Sequence, residues 1–260
     1  MKIKLHAQSG STLIVVLFIL IIITIIGAMA AKSGLFGLKI ATNSQAIQIL
    51  NQNTDAAFIP VEDKTKIETY LLGTNMFGYP KMDANRNKEL IFCYKGSEKD
   101  FFSLRRASLV YLEKIDNSSK LQTDDLGVLG YCKYAAGFFS SGRSATMTQI
   151  SVRVGNSTVS NVAPFSGMPE GTDSESAKVD EPKNLVVTAI SVMPVLSSAS
   201  EDQVNACMKR ASYIDPSITD ISENDKITVS KCLSDLAVPF TTQISEYSLG
   251  QFVQKSTGST

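Results

Sequence analysis

Nineteen residues from Leu13 to Ala31 pass without a charge, and this run constrains the fold of the chain more than any other stretch. It holds seven isoleucines between Ile14 and Ile26, and Lys32 closes it. As an α-helix it would be about 28 Å long, close to the hydrocarbon thickness of a bilayer. A helix also satisfies its backbone N–H and C=O groups internally, which is the condition for crossing lipid. Ahead of the run, the first ten residues hold Lys2, Lys4 and His6 and no carboxylate. Positive charge on that side favours a cytoplasmic N-terminus, a bias that Lys32 and Lys39 beyond the run make modest. A cleaved secretory signal is one reading, because Ala28-Met29-Ala30 offers a small-x-small site, but the core is longer than such signals carry. An uncleaved membrane anchor is another.

A third reading rests on the residues at the mouth of the run. Gly10-Ser11-Thr12-Leu13-Ile14-Val15 resembles the leader junction of type IV prepilins, in which a short basic leader ends in Gly and Phe-Thr-Leu-Ile-Glu begins the mature helix. Gly10, Thr12, Leu13 and Ile14 match that pattern, Ser11 stands where Phe is usual, and Val15 stands where Glu is expected. The longer stretch from Gln8 to Leu17, with Thr24 and Gly27 beyond it, is similar to the N-terminus of the PilX-like minor pilins. The resemblance implies cleavage after Gly10 by a prepilin peptidase, with Ser11 supplying the amine that is then methylated. A carboxylate costs about 2.5–3.5 kcal/mol at the centre of a membrane helix and persists there only with a partner. In pilins the partner is the terminal amine of the neighbouring subunit. Val15 supplies no such charge, so the resemblance implies a subunit suited to starting a filament rather than extending one. The plainer alternative is a Val15 that simply faces lipid.

The rest of the composition bounds the remainder. At 260 residues the chain is long enough for one anchor and one medium-sized ectodomain with its own core. Its 25 basic and 25 acidic residues balance, and loss of Lys2 and Lys4 with a leader would leave it two units negative. Arg105-Arg106 is a basic pair rather than a patch, so no nucleic-acid partner is expected. His6 is the only histidine and lies in the expected leader. A mature chain without histidine cannot assemble Ser-His-Asp or Cys-His nucleophiles, and it lacks the commonest transition-metal ligand. We therefore expect no enzyme activity, no catalytic residues and no cofactor.

Four cysteines, Cys93, Cys132, Cys207 and Cys232, fit an oxidising compartment such as the bacterial periplasm or cell surface. No pair has CxxC spacing, which argues against zinc and thioredoxin-like sites. Three pairings are open. The two sequence-local bridges, Cys93–Cys132 and Cys207–Cys232, are favoured, each contributing about 3.5–4 kcal/mol by loop-closure entropy. Asp83-Ala84-Asn85-Arg86-Asn87-Lys88-Glu89 has alternating oxygen ligands as calcium loops do, but it lacks the central Gly and the bidentate twelfth-position Glu. It reads as a solvated turn, and no metal site is expected. Asn117-Ser118-Ser119 and Asn156-Ser157-Thr158 fit the glycosylation triplet and read as turns.

Along the chain, Ser33-Gly34-Leu35-Phe36-Gly37 puts two glycines in one helical turn, a soft joint or a bend. Ile40, Ile47, Leu50, Ala57 and Phe58 then recur at helical spacing with Asn43, Asn51 and Thr54 interleaved, until Pro60 ends the segment. Beyond it we expect a short helix within Asp63–Leu72 and a strand over Glu89–Tyr94. A strand or hairpin is expected over Phe101–Ile115, and further strands over Thr148–Val154, Leu185–Val192 and Thr241–Tyr247. In Thr148–Val154 the residues Ile150, Val152 and Val154 should form the one buried face. Gly155–Asn184 reads as a long exposed loop. Ser200 caps a helix over Ser200–Ser212, and a helical turn is expected at Ser230–Leu236.

The expected fold is α+β and pilin-like, with a long N-terminal transmembrane helix packed on an antiparallel β-sheet head. Residues 1–10 form the leader, 11–58 the helix (13–31 within the membrane), and 59–260 a periplasmic or surface head. The expected function is that of a minor pilin that primes type IV pilus assembly or caps the tip. Its implied partners are other minor pilins, the major pilin, the prepilin peptidase, the inner membrane and a tip adhesin. A minor pseudopilin of type II secretion is the nearest alternative, although such subunits carry a larger helical insert. A periplasmic domain on an uncleaved anchor is the other.

Overall fold

A computed structural model describes residues 11–96, 98–128, 130–135, 137–140, 144–155 and 184–248. It divides into two compact units, one up to Ala46 and one from Ile47 onward. A single helix, α1 (Ser11–Val61, 51 residues), contributes to both. In the first unit α1 is helical throughout, including the Ser33–Gly37 stretch.

The second unit is built on a six-stranded, wholly antiparallel sheet. Its strands are β1 (Lys88–Tyr94), β2 (Ala107–Ile115), β3 (Ser118–Asp125), β4 (Met147–Val154), β5 (Asn184–Val192) and β6 (Phe240–Ser248). The spatial order is β3-β2-β1-β4-β5-β6. The chain thus runs outward from the centre through β1, β2 and β3, returns to lay β4 beside β1, and runs outward again through β5 to β6. Strands β1, β4 and β5 at the middle are buried along most of their length.

One face of the sheet packs on the last turns of α1 and on two short helices, α2 (Ile67–Tyr70) and α3 (Gly78–Lys81). Ala57, Phe58 and Val61 of α1 meet Leu90 and Phe92 of β1, Leu109 of β2, Ile150 and Val152 of β4 and Val187 of β5. Rings crowd this side: Phe92 meets Phe101 and Phe102 edge-on with centroids 5.5 and 5.0 Å apart, and Tyr70 meets Phe77 at 5.9 Å. Edge-to-face pairs of this kind add about 0.5–1.5 kcal/mol beyond the area they bury. The opposite face is covered by α4 (Glu201–Met208), α5 (Val229–Asp235) and the segment around Tyr131–Cys132. There Ile91, Val110, Met147, Ile190 and Val192 meet Val204, Met208, Val229 and Leu233. The capping expectation at Ser200 is met in full. Gln203 N donates to Ser200 Oγ at 3.3 Å, and Ser200 N donates to Gln203 Oε1 at 2.9 Å, a reciprocal capping box.

Four expectations need correction. Ile40 and Ile47 are exposed, whereas Thr54, taken as an interleaved polar residue, is fully buried. The buried stripe of the second unit's helix is Leu50, Thr54, Ala57, Phe58 and Val61; at about 100° per residue Ile47 falls on the same side, but it precedes the turns that meet the sheet. Pro60 does not end α1, which runs one residue further. A proline in the last turn forfeits only its own bond to the fourth preceding carbonyl, and two residues on Glu62 N still reaches Phe58 O at 3.0 Å. Strand β4 is not half-buried. Ile150 and Val152 face α1, but Met147, Gln149 and Ser151 on the other side are buried too, because α4 and its neighbours cover them. Finally, β3 was not anticipated, and Phe101–Ile115 contains a single strand preceded by a 3₁₀ turn at Leu104–Arg106. Asp116 and Asn117 turn β2 into β3 with φ of 50° and 62°. That is the type I′ conformation that matches strand twist and favours Asn and Asp. Asn117 therefore does mark a turn, while Asn156-Ser157-Thr158 and most of the Gly155–Asn184 stretch lie outside the described residues.

Candidate functional site

The features singled out from sequence fall on α1, on two cysteine pairs and on the Asp83–Glu89 stretch. Gly10 lies outside the described residues, and Ser11 is the first residue of α1. From Leu13 to Ile40 the large apolar side chains of α1 are exposed, Val15 among them at 53%. This is the one described helix long and apolar enough to cross a membrane, and none of its apolar span is buried within the chain. Apolar residues occur on every side of the helix, so no stripe selects a protein partner over lipid. Two of its threonines are satisfied locally. Thr24 Oγ1 donates to Ile21 O at 2.8 Å, and Thr42 Oγ1 lies 3.0 Å from both Leu38 O and Lys39 O. A hydroxyl bonded back to its own helix exposes no unmet donor to an apolar surrounding. A Cβ built on Gly27, Gly34 or Gly37 meets nothing within 4 Å, so packing inside the chain does not require these glycines.

The cysteines are paired as Cys93–Cys132 and Cys207–Cys232, with Cα atoms 4.8 and 5.4 Å apart, and no free cysteine remains among the described residues. Both bridges lie on the face of the sheet away from α1. The first ties β1 to the Tyr131–Cys132 segment, and the second ties α4 to α5. Two short helices have little surface with which to hold each other, so a covalent link replaces contact area.

Within the second unit a chain of hydroxyls joins the helix to the sheet. Ser140 Oγ donates to Thr148 Oγ1 at 2.9 Å, Thr148 Oγ1 lies 2.9 Å from Ser191 Oγ, and Ser191 Oγ lies 2.9 Å from Thr54 Oγ1. Thr54 Oγ1 is also 2.7 Å from Leu50 O. Thr54 ends this relay, and because a hydroxyl has one proton it shares its own between Ser191 Oγ and the Leu50 carbonyl. On the other face, Cys132 N donates to Gln149 Oε1 and Gln149 Nε2 donates to Met208 O, both at 2.9 Å, so a buried amide fixes α4 to β4.

The Asp83–Glu89 stretch does not form a ligand set. Asp83–Asn85 is a 3₁₀ turn, Asn85 is buried with Nδ2 donating to Tyr79 O at 3.2 Å, and Lys88 already begins β1. No group of three or more His, Cys, Asp or Glu side chains converges among the described residues. Glu89 instead points to the α4 side of the sheet, where it is 5% exposed. Its carboxylate accepts from Ser212 N at 2.9 and 3.1 Å. Burial pushes its pKa above the ordinary glutamate value, against the opposing pull of hydrogen bonds from Ser151 and Ser212 and of the nearby Arg153 charge. The sequence places Glu89 where a solvated turn meets a strand, and the one signal of its burial is a glutamate beside an apolar strand. Comparison of the chain with protein-family models, with curated proteins and with solved structures finds no match in any of the three.

Proposed function

We propose that this chain is a PilX-like minor pilin, processed after Gly10 and held in the inner membrane by α1 before it enters a type IV pilus. The observation that carries the reading is that α1 is one unbroken helix from Ser11. It is apolar on all sides through its first half and packed into a head only at its end. A filament of such subunits would hold the exposed half in its interior, where neighbouring helices replace lipid. Val15 adds a polarity to the assembly. A subunit without a carboxylate there cannot neutralise a neighbour's terminal amine, which suits the first position, at the tip, with other minor pilins and a tip adhesin. The antiparallel sheet and the two disulfides support a head that works outside the reducing cytoplasm. Its contribution is packing rather than catalysis.

N-terminal sequencing of the protein from native membranes tests the processing step. The expected product begins at an N-methylated Ser11, and an intact Met1 in a strain with active prepilin peptidase overturns the reading. Deletion should abolish surface pili while the major pilin stays in the membrane. Recovery of secretion components and no pilins in a pulldown would move the assignment to a type II pseudopilin.

A further inference from the structure

Between α4 and α5 the chain runs back over the sheet as a strap. Three polar contacts hold it there: Glu89 accepts from Ser212 N, the Arg153 guanidinium stacks on Tyr213 at 4.1 Å, and Asp220 pairs with Ser119 and Lys114. Under the strap lies a cleft of about 530 Å³, within the range of small-ligand sites. Val110, Leu112 and Leu121 of the sheet and Ile214 and Ile218 of the strap supply its apolar lining.

Four cations, Arg86, Lys88, Lys114 and Arg153, and three carboxylates, Glu89, Asp215 and Asp220, line this cleft, an excess of one positive charge. Asp220 is engaged by Ser119 and by Lys114 at 3.3 Å, and Glu89 is engaged by Ser212 and Ser151 with the Arg153 charge nearby. Arg86, Lys88 and Arg153 also line the cleft, and no ion pair joins any of them to a carboxylate among the described residues. Lys88 sits over the Tyr111 ring at 4.8 Å. Arg153 is the most constrained of the three. Tyr213 covers the flat of its guanidinium, Nη1 has only a 3.4 Å contact to Val154 O, and Nε is buried without a partner among the described residues. A guanidinium fixed at its face can still present its edge, and the planar edge matches a carboxylate.

We infer that this cleft binds a carboxylate carried on an apolar group, of the kind presented by the free C-terminus of a peptide that ends in an aliphatic residue. Arg153 takes the carboxylate, Lys88 and Arg86 supply the positive rim, and the aliphatic side chain rests on Val110, Leu121 and Ile214. The cleft lies wholly within the head, so the inference stands apart from the filament reading.

The test uses the full chain in detergent micelles, with acetyl-Ala-Ala-Leu as probe and its C-terminal amide as control, each titrated by calorimetry. The acid should bind at least ten-fold more tightly than the amide, and the difference should shrink as salt is raised. Arg153→Gln should abolish the preference, Arg153→Lys should keep only a small part of it, and Arg105→Gln, on an exposed turn away from the cleft, should keep all of it. Lys88→Gln, on the rim, should weaken the acid about three-fold and flatten the salt dependence, which decides the matter if Arg153→Gln does not fold. Equal binding of acid and amide overturns the proposal, as does an unchanged preference in Arg153→Gln. Tighter binding of inorganic phosphate than of the peptide would mark a plain anion site and also overturn it.

Discussion

Phe36 and Phe58 belong to the same helix, yet one is 68% exposed and the other 4%. Helix propensity does not separate the two halves of α1, since both are helical without a break. The difference is in the pattern. Around Phe36 the apolar residues occur on all sides, so that burying one face would still leave the others in contact with solvent or lipid. Around Phe58 the buried ones narrow to Leu50, Ala57 and Val61 with Thr54 among them, while Asn51, Asp55 and Ile59 face outward. The first half calls for an apolar surrounding on every side, and the second for a single sheet. One element thus serves two solvents, and only the second half belongs to the hydrophobic core of the head.

That contrast can be broken at several points. Phe58→Ala should lower the unfolding free energy of the head by about 3–5 kcal/mol, and Phe36→Ala should leave it within about 0.5 kcal/mol, in denaturant titrations followed by tyrosine fluorescence in micelles. Comparable losses at both positions would show that the exposed half packs on the head after all. Ile22→Lys should cost about 3 kcal/mol of membrane insertion, read as a larger carbonate-extractable fraction, with the head's unfolding midpoint unchanged. Thr54→Val keeps the shape and removes a hydroxyl from the relay, so it should cost about 1–2 kcal/mol, while Thr42→Val on the exposed side costs far less.

The smallest effect concerns pH and sharpens the comparison between the two faces of the sheet. Glu89 has a raised pKa in the folded head, so the folded state binds its proton more tightly than the unfolded chain does. Stability from this group is fully present below the ordinary glutamate value and is lost as pH rises through the higher folded value. Glu89→Gln should therefore flatten the fall in stability across that window, measured as denaturation midpoints at successive pH values. A substitution on the α1 side, such as Thr148→Val, should leave the slope as it is.

Particular residues show how far the sequence could be read. The long helix was legible because an uncharged, isoleucine-rich run has few other structures open to it. Strands β1, β5 and β6 were legible from their β-branched and aromatic residues. The α4 cap was legible too, because a Ser with Gln three residues later leaves local chemistry little choice. Strand β3 was missed because Ser118–Asp125 is polar and lies at an edge, where it carries no apolar alternation. The candidate cleft was missed for a different reason. Glu89, Arg153 and Tyr213 are far apart in the chain, and only the β1–β4 register and the strap bring them together.

By itself the sequence determined the apolar helical run and the α+β composition of the head, because each rests on patterns close along the chain, whereas the cysteine pairing stayed open until the fold brought Cys93 to Cys132 and Cys207 to Cys232. The tertiary structure decided which polar residues are buried. Gln149, Ser151 and Thr188 alternate along their strands as if they faced water, yet they are covered because α4 and α5 fold over that side. Alternation along a strand reports which residues share a face. Whether a second layer covers that face depends on where distant segments dock, and for Gln149 the answer lies in its bonds to Cys132 and Met208.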